Sequence, residues 1–82
     1  MSSIEKVFAS VANNPRNVKF RTMQRVVRAF GFTLIRIAGS HHIYQHPGFR
    51  EPLNLQNVRG QAKPYQVRQF LALVEKYQLE IH

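Results

Sequence analysis

Apolar residues recur at helical spacing in three stretches of the chain and alternate along its middle. Ile4, Val7, Phe8 and Val11 fall about a turn apart, which predicts a short helix from Ser2 or Ser3 to about Asn13, with either serine as its cap. Asn13-Asn14-Pro15 ends it, because proline cannot extend the hydrogen-bond ladder and restricts the residue before it. Phe20, Met23, Val26, Val27 and Phe30 form a second stripe, predicting a helix over 19–30 that Gly31 terminates. A third stripe, Val67, Phe70, Leu71, Val74 and Tyr77, predicts a helix opening near Pro64, a residue suited to a first turn, and running to about Gln78.

Between the last two helices the period changes. The apolar segment Thr33-Leu34-Ile35-Arg36-Ile37-Ala38 and the segment from His41 onward flank Gly39-Ser40, which reads as a two-residue hairpin turn. That turn pairs Ala38 with His41, Ile37 with His42, Arg36 with Ile43 and Ile35 with Tyr44. Ile35, Ile37, Tyr44 and His42 then share the face expected to meet the core. His41 and Arg36 fall on the open face, together with Leu34 and Ile43; a one-residue slip exchanges the two faces. Pro47-Gly48 closes the second strand. Leu53-Asn54-Leu55 alternates as a third short strand whose start Pro52 places at an edge, and 57–62 reads as a loop. The expected architecture is α+β in the order α, α, β, β, β, α. A three-stranded antiparallel sheet is covered on one face by the two longer helices lying side by side.

Composition narrows the setting. Eighty-two residues are expected to make one domain, 1–82, burying about 60 to 65 per cent of the unfolded surface. The absence of cysteine removes disulfides and thiolate metal sites and fits a reducing compartment. The first ten residues lack the basic start and apolar core of a signal peptide, and no run approaches the roughly 20 apolar residues of a membrane span. A soluble cytoplasmic protein is therefore expected, with no membrane partner. Net charge is +8, and no carboxylate occurs between Glu5 and Glu51, where Lys6, Arg16, Lys19, Arg21, Arg25, Arg28, Arg36 and Arg50 all fall. Arg21, Arg25 and Arg28 share one helical face with no acid to offset them. Such a field favours a nucleic acid, an acidic protein or an anionic surface.

The candidate chemistry lies in the histidines. His41, at the exit of the turn on the open face, is the candidate catalytic group. His42 is the better candidate for the core, His46 for fixing a loop, and His82 for a frayed end. Metal chelation is disfavoured. His41 and His42 point to opposite faces, and His42 and His46 lie roughly 13 Å apart, four steps of about 3.3 Å. Zinc holds its nitrogens at about 2.1 Å. No metal and no cofactor are expected. Thiol chemistry has no residue to use, and the scattered Glu5, Glu51, Glu75 and Glu80 offer no carboxylate pair for glycoside hydrolysis.

An amphipathic helix ending in Phe30-Gly31-Phe32, a strand, and then Gly39-Ser40-His41-His42-Ile43-Tyr44-Gln45-His46-Pro47 resembles the HicA-type toxins of HicA–HicB toxin–antitoxin pairs. The similarity continues through Leu53-Asn54-Leu55 to Lys63-Pro64-Tyr65-Gln66-Val67-Arg68 and covers roughly residues 20–77. The resemblance implies a double-stranded-RNA-binding-like α-β-β-β-α core, here 19–78, preceded by an extra helical segment, 1–18. It further implies an mRNA interferase, a HicB-like antitoxin partner, and catalysis by the histidine directly after the glycine–serine turn, His41; since the residues show no metal site, the activity is expected to be metal-independent. Gln66 departs from the threonine many members carry at that position.

RNA supplies its own nucleophile, so such an enzyme must move a proton from the 2′-hydroxyl and stabilise a phosphorane-like transition state. An imidazole, with an ordinary pKa of about 6.5, suits the first task. Arg36 and Lys63 are candidates for the second, and the Arg21, Arg25, Arg28 stripe for holding phosphates. Two alternatives share the composition: a non-catalytic RNA- or DNA-binding module, which would use exposed aromatics such as Phe49 and would not need His41, and a basic domain that docks an acidic protein.

Overall fold

The computed structural model describes residues 3–81. Its elements are α1 (Ser3–Asn13), α2 (Phe20–Ala29), β1 (Thr33–Ala38), β2 (His41–Gln45), β3 (Leu53–Val58), β4 (Gln61–Ala62) and α3 (Pro64–Tyr77). With α1 opening at Ser3, its cap position falls on Ser2, which lies outside the described residues, as does His82. The helix ends follow the punctuation in the chain. Gly31 takes a positive φ of 95°. Around it the Phe32 N–H donates to the Val27 carbonyl (3.1 Å) and the Gly31 N–H to the Arg28 carbonyl (3.0 Å). This pair of bonds closes α2 and sets Phe32 on Val27 in the core.

The sheet is antiparallel in the order β1-β2-β3-β4. The expected count of three strands is thus corrected to four, and 57–62 is a tight hairpin in place of a loop. Its two central residues, Arg59 (φ 55°) and Gly60 (φ 83°), both occupy the left-handed region. Arginine seldom sits there, and β4 is too short to show alternation, so neither feature is legible as a strand pair. β4 also receives the start of α2: Lys19 bridges Gln61, the Phe20 N–H donates to the Gly60 carbonyl (2.9 Å), and the Ala62 N–H to the Val18 carbonyl (2.9 Å).

One face of the sheet carries the core. Tyr44, Leu53 and Leu55 are fully buried against Phe20, Met23, Val26 and Val27 of α2 and Val67, Phe70 and Leu73 of α3. The Tyr44 hydroxyl, sealed inside, accepts a bond from the Gln24 amide (3.3 Å). α1 lies outside this layer, packed on α2, with Phe8 edge-on to Phe30 (4.7 Å) and Phe70 (6.3 Å).

Hairpin pairing follows the expected register for Ala38–His41, Ile37–His42 and Arg36–Ile43 and then departs from it. Ile35 is an extra residue, a bulge, so Leu34 takes the place opposite Tyr44. Two expectations are corrected: Leu34 packs on the core, and Ile35 stands 54% exposed on the edge strand. Ile37 keeps its place beside His42, yet as part of that edge strand it is 56% exposed.

The loop after β2 is held by stacked rings. His46 lies on Phe49 (4.9 Å between centroids) and Phe49 on Tyr77 (4.1 Å), so Phe49 is half-buried, a correction to its expected exposure. Glu51 completes the clasp. The Tyr77 hydroxyl and the Lys76 ammonium both donate to its carboxylate, and they hold its pKa below the ordinary carboxylate value.

Gln66 is the one polar residue buried in this interior among those described, 1% exposed. β4 ends at Ala62, so beyond it the edge of β3 offers an unpaired Gln56 N–H. Gln66 Oε1 accepts it at 2.6 Å, standing in for the missing strand. Gln66→Leu should therefore lower unfolding free energy by about 1–3 kcal/mol, the cost of a stranded buried donor, as read from urea denaturation; an unchanged midpoint would contradict this account.

Candidate functional site

The alternation that buries Tyr44, Leu53 and Leu55 sends their neighbours to the uncovered side of the sheet. His41 and Ile43 on β2, with Asn54 and Gln56 on β3, make up that surface. His41 opens β2 directly after the turn. Gly39 has φ 61° and Ser40 does not share the positive sign, the pattern of a two-residue type II′ turn, which takes glycine at its first central position. The Ser40 carbonyl accepts from the Asn57 N–H (2.9 Å), which ties the turn to the end of β3. The His41 ring is half-buried, and its Nδ1 lies 3.2 Å from the Asn54 side-chain carbonyl oxygen.

The two neighbouring histidines are engaged differently. His42 faces the helices, its ring edge-on to Phe20 at 4.8 Å and its Nδ1 3.4 Å from the Ser40 carbonyl. His46 accepts the Gly48 N–H on Nδ1 (2.9 Å), which places its proton on Nε2, and Nε2 donates to the Phe30 carbonyl (3.0 Å). Both of its nitrogens are used to fasten the loop to the end of α2.

Arg36 lies opposite Ile43 and is exposed on the same face as His41, a diagonal cross-strand neighbour. Such neighbours are spaced at about 7–8 Å. Lys63 is elsewhere, at the N-cap of α3, where its ammonium sits 5.9 Å from the Tyr65 ring. Arg21, Arg25 and Arg28 are exposed on α2, whose apolar stripe faces the sheet, so they occupy the helix side of the molecule. Arg21 is in the first turn, close to the Gly60 hinge, and Arg28 in the last. The structure therefore groups Arg36 with His41 and separates both from the far end of the arginine stripe.

One end of the molecule collects what the sequence scatters. The Gly39-Ser40 turn, the Arg59-Gly60 turn and the starts of α2 and α3 all meet there through the bonds of Asn57 to Ser40, Phe20 to Gly60 and Ala62 to Val18. Both helices are capped by lysine, Lys19 and Lys63, with no side-chain cap and no acid in the first turn. Their N-terminal dipole charges, about half an elementary charge each, are left without a carboxylate partner. Arg59 adds a guanidinium at the tip, and Tyr65, 58% exposed, adds an aromatic face.

Asn54, Arg59 and Tyr65 were not singled out from the sequence. Asn54 alone carried a signal, since the Leu-Asn-Leu alternation sends it to the face opposite the leucines. Among the described residues no three His, Asp or Glu side chains come close enough to hold a metal ion. A groove of about 470 Å³ between α1 and α3, floored by Phe8, Leu71, Val74 and Leu79 and bordered by Glu75 and Glu80, lies on the helix side, and none of the histidines lines it. No helix among the described residues is long and apolar enough to cross a membrane.

A family model described as the HicA toxin of bacterial toxin–antitoxin systems matches residues 20–75, which takes in α2, the whole sheet and most of α3. Comparison with curated proteins and with solved structures gives no match.

The turn carries a test of its own. A Cβ at Gly39 would meet nothing within 4 Å, so Gly39→Ala acts through backbone strain alone. Its expected cost is about 1–2 kcal/mol, measured as a lower urea midpoint; a stability equal to wild type would show that the turn relaxes to another type.

Proposed function

The chain belongs to the HicA toxin family of bacterial toxin–antitoxin systems, and from that premise we propose that it is an endoribonuclease that cuts mRNA with His41 as general base. Membership implies an antitoxin partner, which in this reading is a HicB-like protein that covers the uncovered sheet face. The observation that carries the proposal is the position of His41: its ring stands on the face without helices, beside the end of the molecule where two lysine-capped helices begin. A polyanion drawn to that end by Lys19, Arg59 and Lys63 passes the imidazole. The core of helices and antiparallel strands accords with a double-stranded-RNA-binding-like arrangement enlarged by β4 and α1, in a soluble cytoplasmic protein.

In the reaction, His41 takes the proton of a ribose 2′-hydroxyl and the 2′-oxygen attacks the adjacent phosphorus. The bond from phosphorus to the 5′-oxygen breaks, and a proton delivered to that oxygen completes the departure of a 5′-hydroxyl end, leaving a 2′,3′-cyclic phosphate. Negative charge grows on the non-bridging oxygens, where Arg36 is the nearest cation on the same face. Base catalysis by one group supplies about 10²- to 10⁴-fold. Arg21, Arg25 and Arg28 hold phosphates upstream or downstream, with an effect that declines from Arg21 to Arg28 as the distance from the Gly60 end grows.

His41→Ala should lower the rate of cleavage of labelled RNA by about 10²- to 10⁴-fold, and a single 2′-deoxy substitution at the cut site should block it in the wild type. Wild-type cleavage by the variant would exclude His41 as the base. An intact but retarded RNA band with wild-type protein would favour the non-catalytic module. Arg59→Gly should relieve the left-handed strain and raise the urea midpoint, yet reduce the salt slope of RNA binding by about one. An unchanged slope would remove Arg59 from the interface.

A further inference from the structure

His41 has two ring nitrogens, and the sheet treats them differently. Nδ1 lies 3.2 Å from Oδ1 of Asn54, which sits diagonally across from it on β3. A carbonyl oxygen has no proton to give, so this bond exists only while Nδ1 carries the hydrogen. The lone pair of the neutral ring is then on Nε2, which has no hydrogen-bond partner among the described residues. His46 shows the opposite arrangement, with its proton on Nε2 and both nitrogens consumed by the backbone.

We propose that Asn54 is the positioning residue of His41: its side-chain carbonyl holds Nδ1–H, so that Nε2 faces the substrate and takes the 2′-hydroxyl proton. This rests on the reading of His41 as the base. The support is rigid, because Leu53 and Leu55 on either side of Asn54 are fully buried and cannot move without opening the core. The partner is also neutral. An imidazolium still donates from Nδ1, so the contact to Asn54 survives proton uptake, and the ring keeps its orientation through both halves of a proton-transfer cycle. A carboxylate in the same place would orient the ring equally but would favour its charged form. The amide fixes the direction of the ring.

The experiment compares wild type, His41→Ala, Asn54→Leu and Asn54→Asp, each shown by urea denaturation to be folded under the assay conditions. Asn54→Leu should lower kcat on labelled RNA roughly 10- to 100-fold, the range for removing a histidine's orienting partner, with KM within about twofold. Asn54→Asp should restore most of kcat and move the acid limb of the kcat/KM profile upward by about one pH unit or more. Nitrogen-15 spectra of His41 near neutral pH should show the Nδ1-protonated tautomer in wild type and a mixture in Asn54→Leu. If His41→Ala is inactive while Asn54→Leu keeps wild-type kcat and tautomer, the positioning role is overturned and the base assignment stands. If His41→Ala cleaves normally, the base assignment fails, and the positioning role falls with it.

Discussion

Burial of Tyr44, Leu53 and Leu55 beneath α2 and α3 decides which way every other side chain of the central strands can point. Side chains alternate along a strand, so committing these three to the interior commits His41, Ile43, Asn54 and Gln56 to the other face. A slip of one residue would put the polar set inside and expose the leucines, at a cost of about 1.5–3 kcal/mol for each apolar side chain lost from the core. The register is therefore held by the helices more than by the hairpin turn. The position of the candidate base is a consequence of packing on the side where it does not lie.

The same packing makes the molecule electrically polar. α2 and α3 both begin at the Arg59-Gly60 hairpin, because β4 pairs with the residues just before α2 and leads directly into α3. Their lysine caps and missing first-turn acids leave that end positive. The acids in the latter part of the chain sit toward the other end of α3. Glu51 is held by Lys76 and Tyr77, while Glu75 and Glu80 border the groove against α1. Fourteen helical residues separate the two ends by about 21 Å, roughly two Debye lengths or more at physiological salt. A phosphate chain approaching the turns meets the cations without meeting the carboxylates.

Much of this was legible because long apolar stripes survive any tertiary arrangement. The stripe Phe20, Met23, Val26, Val27 and Phe30 is buried in full, and the His41 side of the hairpin follows from the Gly39-Ser40 turn. The unread parts depend on single residues whose type gives no warning. Ile35 looks like its neighbours, yet it is the bulge that brings Leu34 inward. Arg59 gives no sign of a left-handed turn, so β4 was hidden behind it. Leu73 falls outside the stripe assigned to the last helix but is buried with it. Nothing local marks Gln66 as buried; only the edge of β3, which needs an acceptor for the Gln56 N–H, explains its place. Phe49 reads as exposed until Tyr77, far along the chain, is found stacked on it. Each of these is a long-range relation, absent from any local pattern.

Three histidines within six positions end in three environments, and the differences are those a base requires or forbids. His46 has both nitrogens tied to the backbone and is used up in fastening the loop to the end of α2. His42 is half-buried and turned toward the helix side of the sheet, with its ring edge-on to Phe20 and its Nδ1 near the Ser40 carbonyl. His41 keeps one nitrogen bonded to a rigid strand and, among the described residues, has its other nitrogen without a partner on a face that no helix covers. A polymer needs no enclosing pocket, because affinity for a long polyanion is built from many phosphate contacts spread over a surface. For the proposed reaction the surface must provide one oriented group at the point of chemistry, and the alternation that builds the core sets His41 on that face.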